Sequence, residues 1–158
     1  MRIDIEEVET RPYPIVTVVN QCALVPSVVA RSIERAFEDL RALMDERRIE
    51  AAGPPLTIFK NWSVAEITFA AAFPVTAADH AKSGGEMQAD YAPGGPALRA
   101  VVVGPYDQMP DAYAGLQKET AERGFESGGV AWEVYVSGHD RQEDSDAVTE
   151  IYVARAAE

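Results

Sequence analysis

Glu46–Phe59 reads ERRIEAAGPPLTIF, and Glu122–Tyr135 reads ERGFESGGVAWEVY. The two stretches align without a gap at an offset of 76 residues. Glu46/Glu122, Arg47/Arg123, Glu50/Glu126 and Gly53/Gly129 are identical, and Ile49/Phe125, Leu56/Trp132, Ile58/Val134 and Phe59/Tyr135 keep their apolar character. The flanks align at an offset of 84: Pro12 with Pro96, Val19 with Val103, Pro26 with Pro110, and SVAEITFA (63–70) with AVTEIYVA (147–154). The change of offset implies a first helix about two turns longer than the second, and a final hairpin loop longer by the same amount. Two copies are too few for a solenoid. The pattern predicts one domain over 1–158 with internal repeats at about 3–73 and 87–154, related by a pseudo-twofold axis.

Each half reads as a β-α-β-β unit. Ile3–Glu9 alternates apolar and acidic residues, as a half-exposed strand does. Pro12 and Pro14 interrupt it, and Ile15–Asn20 resumes as a β-branched run. Pro26 suits the first turn of a helix, where its missing N–H costs nothing. Val29, Ile33, Phe37, Leu40 and Met44 then recur at three- and four-residue steps, the stripe of an amphipathic helix packed on a sheet. The helix ends before Gly53-Pro54-Pro55, and Leu56–Lys60 with Val64–Phe73 forms a hairpin. The second half gives strands at Met87–Tyr91 and Leu98–Val103, and a helix opened by Pro110-Asp111 with Tyr113, Leu116 and Thr120 on its inner face. Its closing hairpin is Trp132–Ser137 with Ala147–Ala154. Pro74–Glu86 reads as the join between halves. The fold class is α+β: duplicated modules forming a curved antiparallel sheet with two helices.

Composition narrows the function. The net charge of −12, from 14 basic and 26 acidic residues, repels phosphate backbones, so direct DNA or RNA binding is not expected. No apolar run reaches membrane-spanning length, and Met1–Ile5 lacks the pattern of a signal peptide, which points to the cytoplasm. Cys22 is the single cysteine, read as a packing residue, and with only His80 and His139 beside it there is no metal-ligand spacing. Both histidines fall in polar sequence and are expected to face solvent. No cofactor motif is present: there is no phosphate-binding glycine loop and no nucleophile elbow.

The closing hairpin carries the candidate chemistry. Period-two alternation places Glu133 and Tyr135 on one face of a strand and Trp132 and Val134 on the other, and Glu150 and Tyr152 repeat the Glu-x-Tyr spacing next door. Two readings stay open, a wet face or the wall of a cavity. In a cavity, an unpaired carboxylate would be costly to bury; a cationic ligand would relieve that cost, and the rings would add apolar area and cation–π attraction.

Val103-Gly104-Pro105-Tyr106, the helix opening after Met109-Pro110, the Arg123-Gly124-Phe125 exit, Trp132-Glu133-Val134-Tyr135 and Thr149-Glu150-Ile151-Tyr152-Val153 together resemble the GyrI-like small-molecule-binding domain, which includes effector-binding domains of multidrug-sensing transcription activators. The resemblance runs from Ile3 to Ala154 and is strongest from Leu98 onward. It implies two β-α-β-β modules (SHS2 modules) with a ligand in a central cleft near the pseudo-twofold axis. It makes Glu133 the pocket glutamate that pairs lipophilic cations, and it lines the cleft with Tyr106 and Tyr152. Trp132 and Tyr135 beside the acid are counted with them as ligand-binding rings, and repeat symmetry adds Phe59, Trp62 and Phe69 from the first half. Members often carry proline where this chain has Ala154. Many also carry a DNA-binding or coiled-coil segment before the domain, whereas this sequence starts at the first strand, so by expectation it is not in itself a complete DNA-binding regulator.

Three functions follow. The first is a stand-alone binding module for small apolar or lipophilic-cationic molecules. The second, implied by similar stand-alone members, is a hydrolase that opens cyclopropane rings of DNA-alkylating natural products, with Glu133 as general base and Tyr106 or Tyr152 positioning or protonating the substrate. The third is a gyrase-inhibitor-like interaction module that meets a basic protein partner through Asp4–Glu9 and Asp140–Asp146. A homodimer remains compatible with all three.

Overall fold

The computed structural model describes residues 2–61, 63–105, 109–137 and 147–156. Its strands are β1 (Arg2–Thr10), β2 (Pro14–Ala23), β3 (Leu56–Lys60), β4 (Glu66–Pro74), β5 (Gln88–Tyr91), β6 (Gly95–Val103), β7 (Ser127–Ser137) and β8 (Val148–Arg155). The helices are α1 (Pro26–Glu46), α2 (Ala77–His80) and α3 (Met109–Glu122). The class is α+β with antiparallel pairing, and β2-α1-β3-β4 and β6-α3-β7-β8 are the two β-α-β-β arrays. The α1 helix has 21 residues and α3 has 14, the two-turn difference read from the offsets.

The chain divides into two compact units. A continuous unit holds Arg11–Pro93, and a split unit joins Met1–Thr10 to Gly94–Glu158. The continuous unit orders its strands β3-β4-β2-β5, and the split unit orders its own β1-β6-β8-β7. The opening strand of each sequence half therefore pairs with the other half. β1 lies along β6, from Arg2 opposite Val103 to Thr10 opposite Gly95, and β5 lies along β2, with Pro14 opposite Tyr91. Alternation in β1 specifies which face is apolar but not which strand lies alongside it.

In the continuous unit, α1 starts at Pro26 with no side-chain cap. Ala36, Phe37, Leu40 and Met44 form its buried stripe, and Phe37 meets Phe73 of β4 edge-to-face at 5.6 Å. A third helix, α2, lies in the segment read as a plain join. Thr76 caps it by accepting from the Asp79 N–H at 3.2 Å. This corrects the expectation for His80: its ring is half-buried, meets Tyr91 at 5.0 Å, and bonds the Asp90 carbonyl through Nε2 at 2.9 Å. Cys22 is half-buried opposite Ile67.

In the split unit, α3 covers one face of the strands. Met109, Ala112 and Leu116 pack on Leu98, Ala100, Val102 and Ile151, with Ile3, Ile5 and Tyr113 at the margin. Arg123 ties the helix end to β1 by donating to the Ile5 carbonyl at 3.4 Å and pairing with Glu119 at 3.0 Å.

The repeated Glu-Arg segment ends both long helices in the same way. The Ile49 N–H reaches back to the Met44 carbonyl and the Phe125 N–H to the Thr120 carbonyl, both at 2.9 Å. The residue before each is left-handed, Arg48 at φ 57° and Gly124 at φ 62°. This five-back closure with an apolar residue after it is the Schellman motif, and both apolar residues, Ile49 and Phe125, are buried. The shared glycines differ in use. Gly129 takes φ 82° where the β7–β8 register shifts between Ser127 and Ala131, whereas a Cβ on Gly53 would come within 3.3 Å of the Pro74 ring.

Candidate functional site

The helix-covered face of the split unit carries the acid. Glu133 lies opposite Ile151 in the β7–β8 ladder, so it shares its face with the apolar residues under α3. It is 3% exposed, which excludes the wet-face reading. The Tyr113 hydroxyl, from α3, donates to Glu133 Oε2. The Tyr135 hydroxyl, two residues along β7, donates to Oε1 at 2.9 Å. Thr149, fully buried, lies opposite Tyr135. The carboxylate is thus an acceptor for two phenols, each with its ring beside it. Hydrogen bonds to an ionised acceptor are the stronger class, and they offset part of the cost of burying the group.

Trp132 and Tyr152 lie on the opposite face. They are directly paired across β7 and β8, with ring centroids 4.9 Å apart and planes within 4°. The Tyr152 hydroxyl donates to Glu150 Oε1 at 3.2 Å. Arg99 of β6 reaches Glu150 at 4.0 Å and also pairs with Glu6 of β1. Burial pushes the Tyr152 phenol above its ordinary value, and the Glu150 charge adds to the rise. The predicted ring set is thereby divided by β7: Tyr135 stands with Glu133, while Trp132 and Tyr152 form a separate polar-aromatic row.

In the continuous unit, Phe59 and Phe69 are a cross-strand pair on the same face as Phe73, which is the face covered by α1. Phe69 is fully buried and Phe59 half-buried. Thr57, the repeat counterpart of Glu133, is fully buried on that face too. Tyr106, Trp62, His139 and the acidic stretch at 140–146 fall outside the described residues. The acidic residues Asp4–Glu9 form most of β1.

Sequence reasoning placed Tyr113 on the inner face of its helix but gave it no role. The available signal was its position one turn before Leu116 on the buried stripe of α3, which directs a phenol at the sheet. Among the described residues no group of three His, Cys, Asp or Glu side chains is placed to hold a metal, and no helix is long and apolar enough to cross a membrane.

No protein-family model matches the chain, and no curated protein sequence matches it. Solved structures do share its fold. The EcmrR C-terminal domain superposes with a TM-score of 0.70 at 15% identity, covering 98% of both chains. EcmrR in a complex with DNA gives a TM-score of 0.76 at 15% identity, and there the present chain covers 58% of the EcmrR chain. SAV2435 bound to tetraphenylphosphonium gives 0.69 at 10% identity, over 98% of this chain and 94% of that one. A hydrolase from Listeria innocua gives 0.58 at 12% identity, over 94% and 90%. At these identities the likeness is one of fold, and the fold agrees with the resemblance read from the sequence.

Proposed function

We infer that the chain is a single ligand-binding domain of the GyrI-like kind and that it takes small lipophilic cations, with Glu133 as the acidic partner. The observation that carries this reading is a carboxylate only 3% exposed, held between the phenols of Tyr113 and Tyr135 on the face that carries the apolar core under α3. A buried acid flanked by rings offers a diffuse cation both charge and aromatic surface. Tetraphenylphosphonium, the compound bound to SAV2435, belongs to that class. A ligand that reaches Glu133 meets the Tyr113 hydroxyl, from α3, at Oε2.

The test is a titration with tetraphenylphosphonium followed by tryptophan emission. Saturable binding that weakens at least tenfold in Glu133→Gln supports the reading. Binding of equal strength in the variant, or none in the wild type, rejects it. The hydrolase alternative asks something different of the same side chain. A general base must present a lone pair to water; each carboxylate oxygen here accepts from one phenol and keeps a second lone pair, so turnover itself must be assayed. Since a Listeria hydrolase shares the fold, the purified chain should also be incubated with a cyclopropane-bearing alkylating compound. A ring-opened product lost in Glu133→Gln would replace the binding reading with the catalytic one.

A further inference from the structure

The split unit has a concavity beyond the end of α3. It is an open groove of about 240 Å³, lined by Glu7, Val8 and Glu9 of β1, Pro96 and Ala97 of β6, Phe125 and Arg155. Its base is the ring of Phe125, which is 8% exposed. The Arg155 guanidinium carbon sits 5.5 Å from the centre of that ring. No ion pair among the described residues joins Arg155 to Glu7 or Glu9, although all three line the groove. The groove therefore already holds a cation on an aromatic floor. That cation is the exposed end of a flexible side chain, and it leaves the two neighbouring carboxylates unused.

We propose that this groove is a binding site for a guanidinium group, and that Arg155 is the internal stand-in that an incoming guanidinium displaces. Three features decide the ligand class. The ring favours a flat, weakly hydrated cation, which a guanidinium is and a compact ammonium is less. The carboxylates of Glu7 and Glu9 supply the negative partner that a planar fork of donors matches. The volume lies below the roughly 300–1,000 Å³ of pockets that enclose drug-sized ligands, so the groove suits a single head group rather than a fully enclosed polycyclic cation. The guanidinium has two sources. It can be a free alkylguanidine, or it can be an arginine in an extended segment lying beside β1. Within its unit β1 is paired on one side only, with β6, so a strand-like segment would find backbone partners on the other.

The experiment uses the whole chain and two probes: ethylguanidinium, and a blocked seven-residue peptide of alternating threonine and valine with one central arginine. Binding is read from the Arg155 side-chain N–H resonance and by calorimetry. The expected result is a saturable shift of that resonance, affinity at least tenfold weaker in the Glu7→Gln/Glu9→Gln double variant, and affinity several-fold stronger in Arg155→Gln, which removes the internal competitor. All three side chains line an open surface groove, so none of these changes depends on altering the core. A peptide at least tenfold tighter than ethylguanidinium identifies a protein arginine as the source, and equal affinities identify the free group. The proposal is overturned if neither probe saturates, if the double variant binds as well as the wild type, or if Arg155→Gln weakens binding.

Discussion

Replacing Tyr113 by Phe keeps the ring and its packing and removes one donor from Glu133. The acceptor oxygen left behind belongs to a residue only 3% exposed, so bulk water does not readily take the place of the hydroxyl. A hydrogen bond to a charged group contributes about 1.5–3 kcal/mol, and leaving a buried partner unsatisfied costs on that scale. Tyr113→Phe is therefore expected to lose about 2 kcal/mol, roughly a thirtyfold fall in the folding equilibrium. Urea unfolding reads this as a lower midpoint with an unchanged slope. The pairing itself is isolated by a double-mutant cycle with Glu133→Gln, where a coupling of about 1 kcal/mol or more is expected between groups in direct contact. Tetraphenylphosphonium affinity should rise in Tyr113→Phe, because a carboxylate with one donor fewer has more of its charge left for the cation to pair. A loss below about 0.5 kcal/mol, the ordinary range for substitutions away from such features, or purely additive single changes, would refute the reasoning that α3 holds the acid.

Arg48→Gly should stabilise the chain by up to about 1 kcal/mol, since a left-handed non-glycine costs roughly 1–2 kcal/mol and glycine returns part of that gain as backbone entropy; its φ of 57° is the geometry Gly124 adopts at the matching helix end, and thermal unfolding measures the change. Leu116→Ala empties a site that is 2% exposed beneath α3 and should cost about 2–5 kcal/mol by urea unfolding, the range for a deleted core leucine. The raised Tyr152 phenol gives a signed pH effect: the neutral form is the folded-state form, so its contribution is complete below the ordinary value of 10.0 and is lost as the pH climbs through the raised folded value. Unfolding curves taken on both sides of pH 10 should show that decline, and Tyr152→Phe should flatten it. Asp79 has the opposite sign. The Lys82 side chain and the Glu50 N–H hold it below its ordinary 3.8, so its contribution is present above that value and disappears as acid takes the pH through the lowered one; Asp79→Asn should remove this part of the acid sensitivity.

The repeat was readable because it encodes physics that both copies need. Ile49 and Phe125 follow a left-handed residue and seal a helix end, so their apolar character persisted while Arg48 and Gly124 diverged. Glu133 stood out for the converse reason, since its counterpart Thr57 is neutral at an equally buried position. Three features were not readable. Tyr113 meets Glu133 only because α3 crosses its own unit at a particular height, which local spacing does not encode. The exchange of β1 and β5 between halves was hidden because alternation fixes a face and leaves the neighbouring strand open. Trp132 and Tyr152 were pooled with Glu133 as one ring set, although the same alternation had already put Trp132 on the other face. Register then made Trp132 and Tyr152 a stacked pair of their own.

The exchanged strands also set an order of events. The continuous unit is one unbroken stretch, and its β2–β4, β3–β4 and β2–β5 ladders can form as soon as Pro93 is available. β1 cannot: its ladder partner begins at Gly95, and the core it helps cover also needs α3 and Ile151. Through most of synthesis, a strand carrying Ile3, Ile5 and Val8 must stay unpaired, and long-range closures of this kind are slow and exposed to misassembly. Its acids, Asp4, Glu6, Glu7 and Glu9, are then useful before any ligand or partner exists, since charge on an unpaired strand discourages wrong pairing. Neutralising them would be felt first in the yield of folded protein.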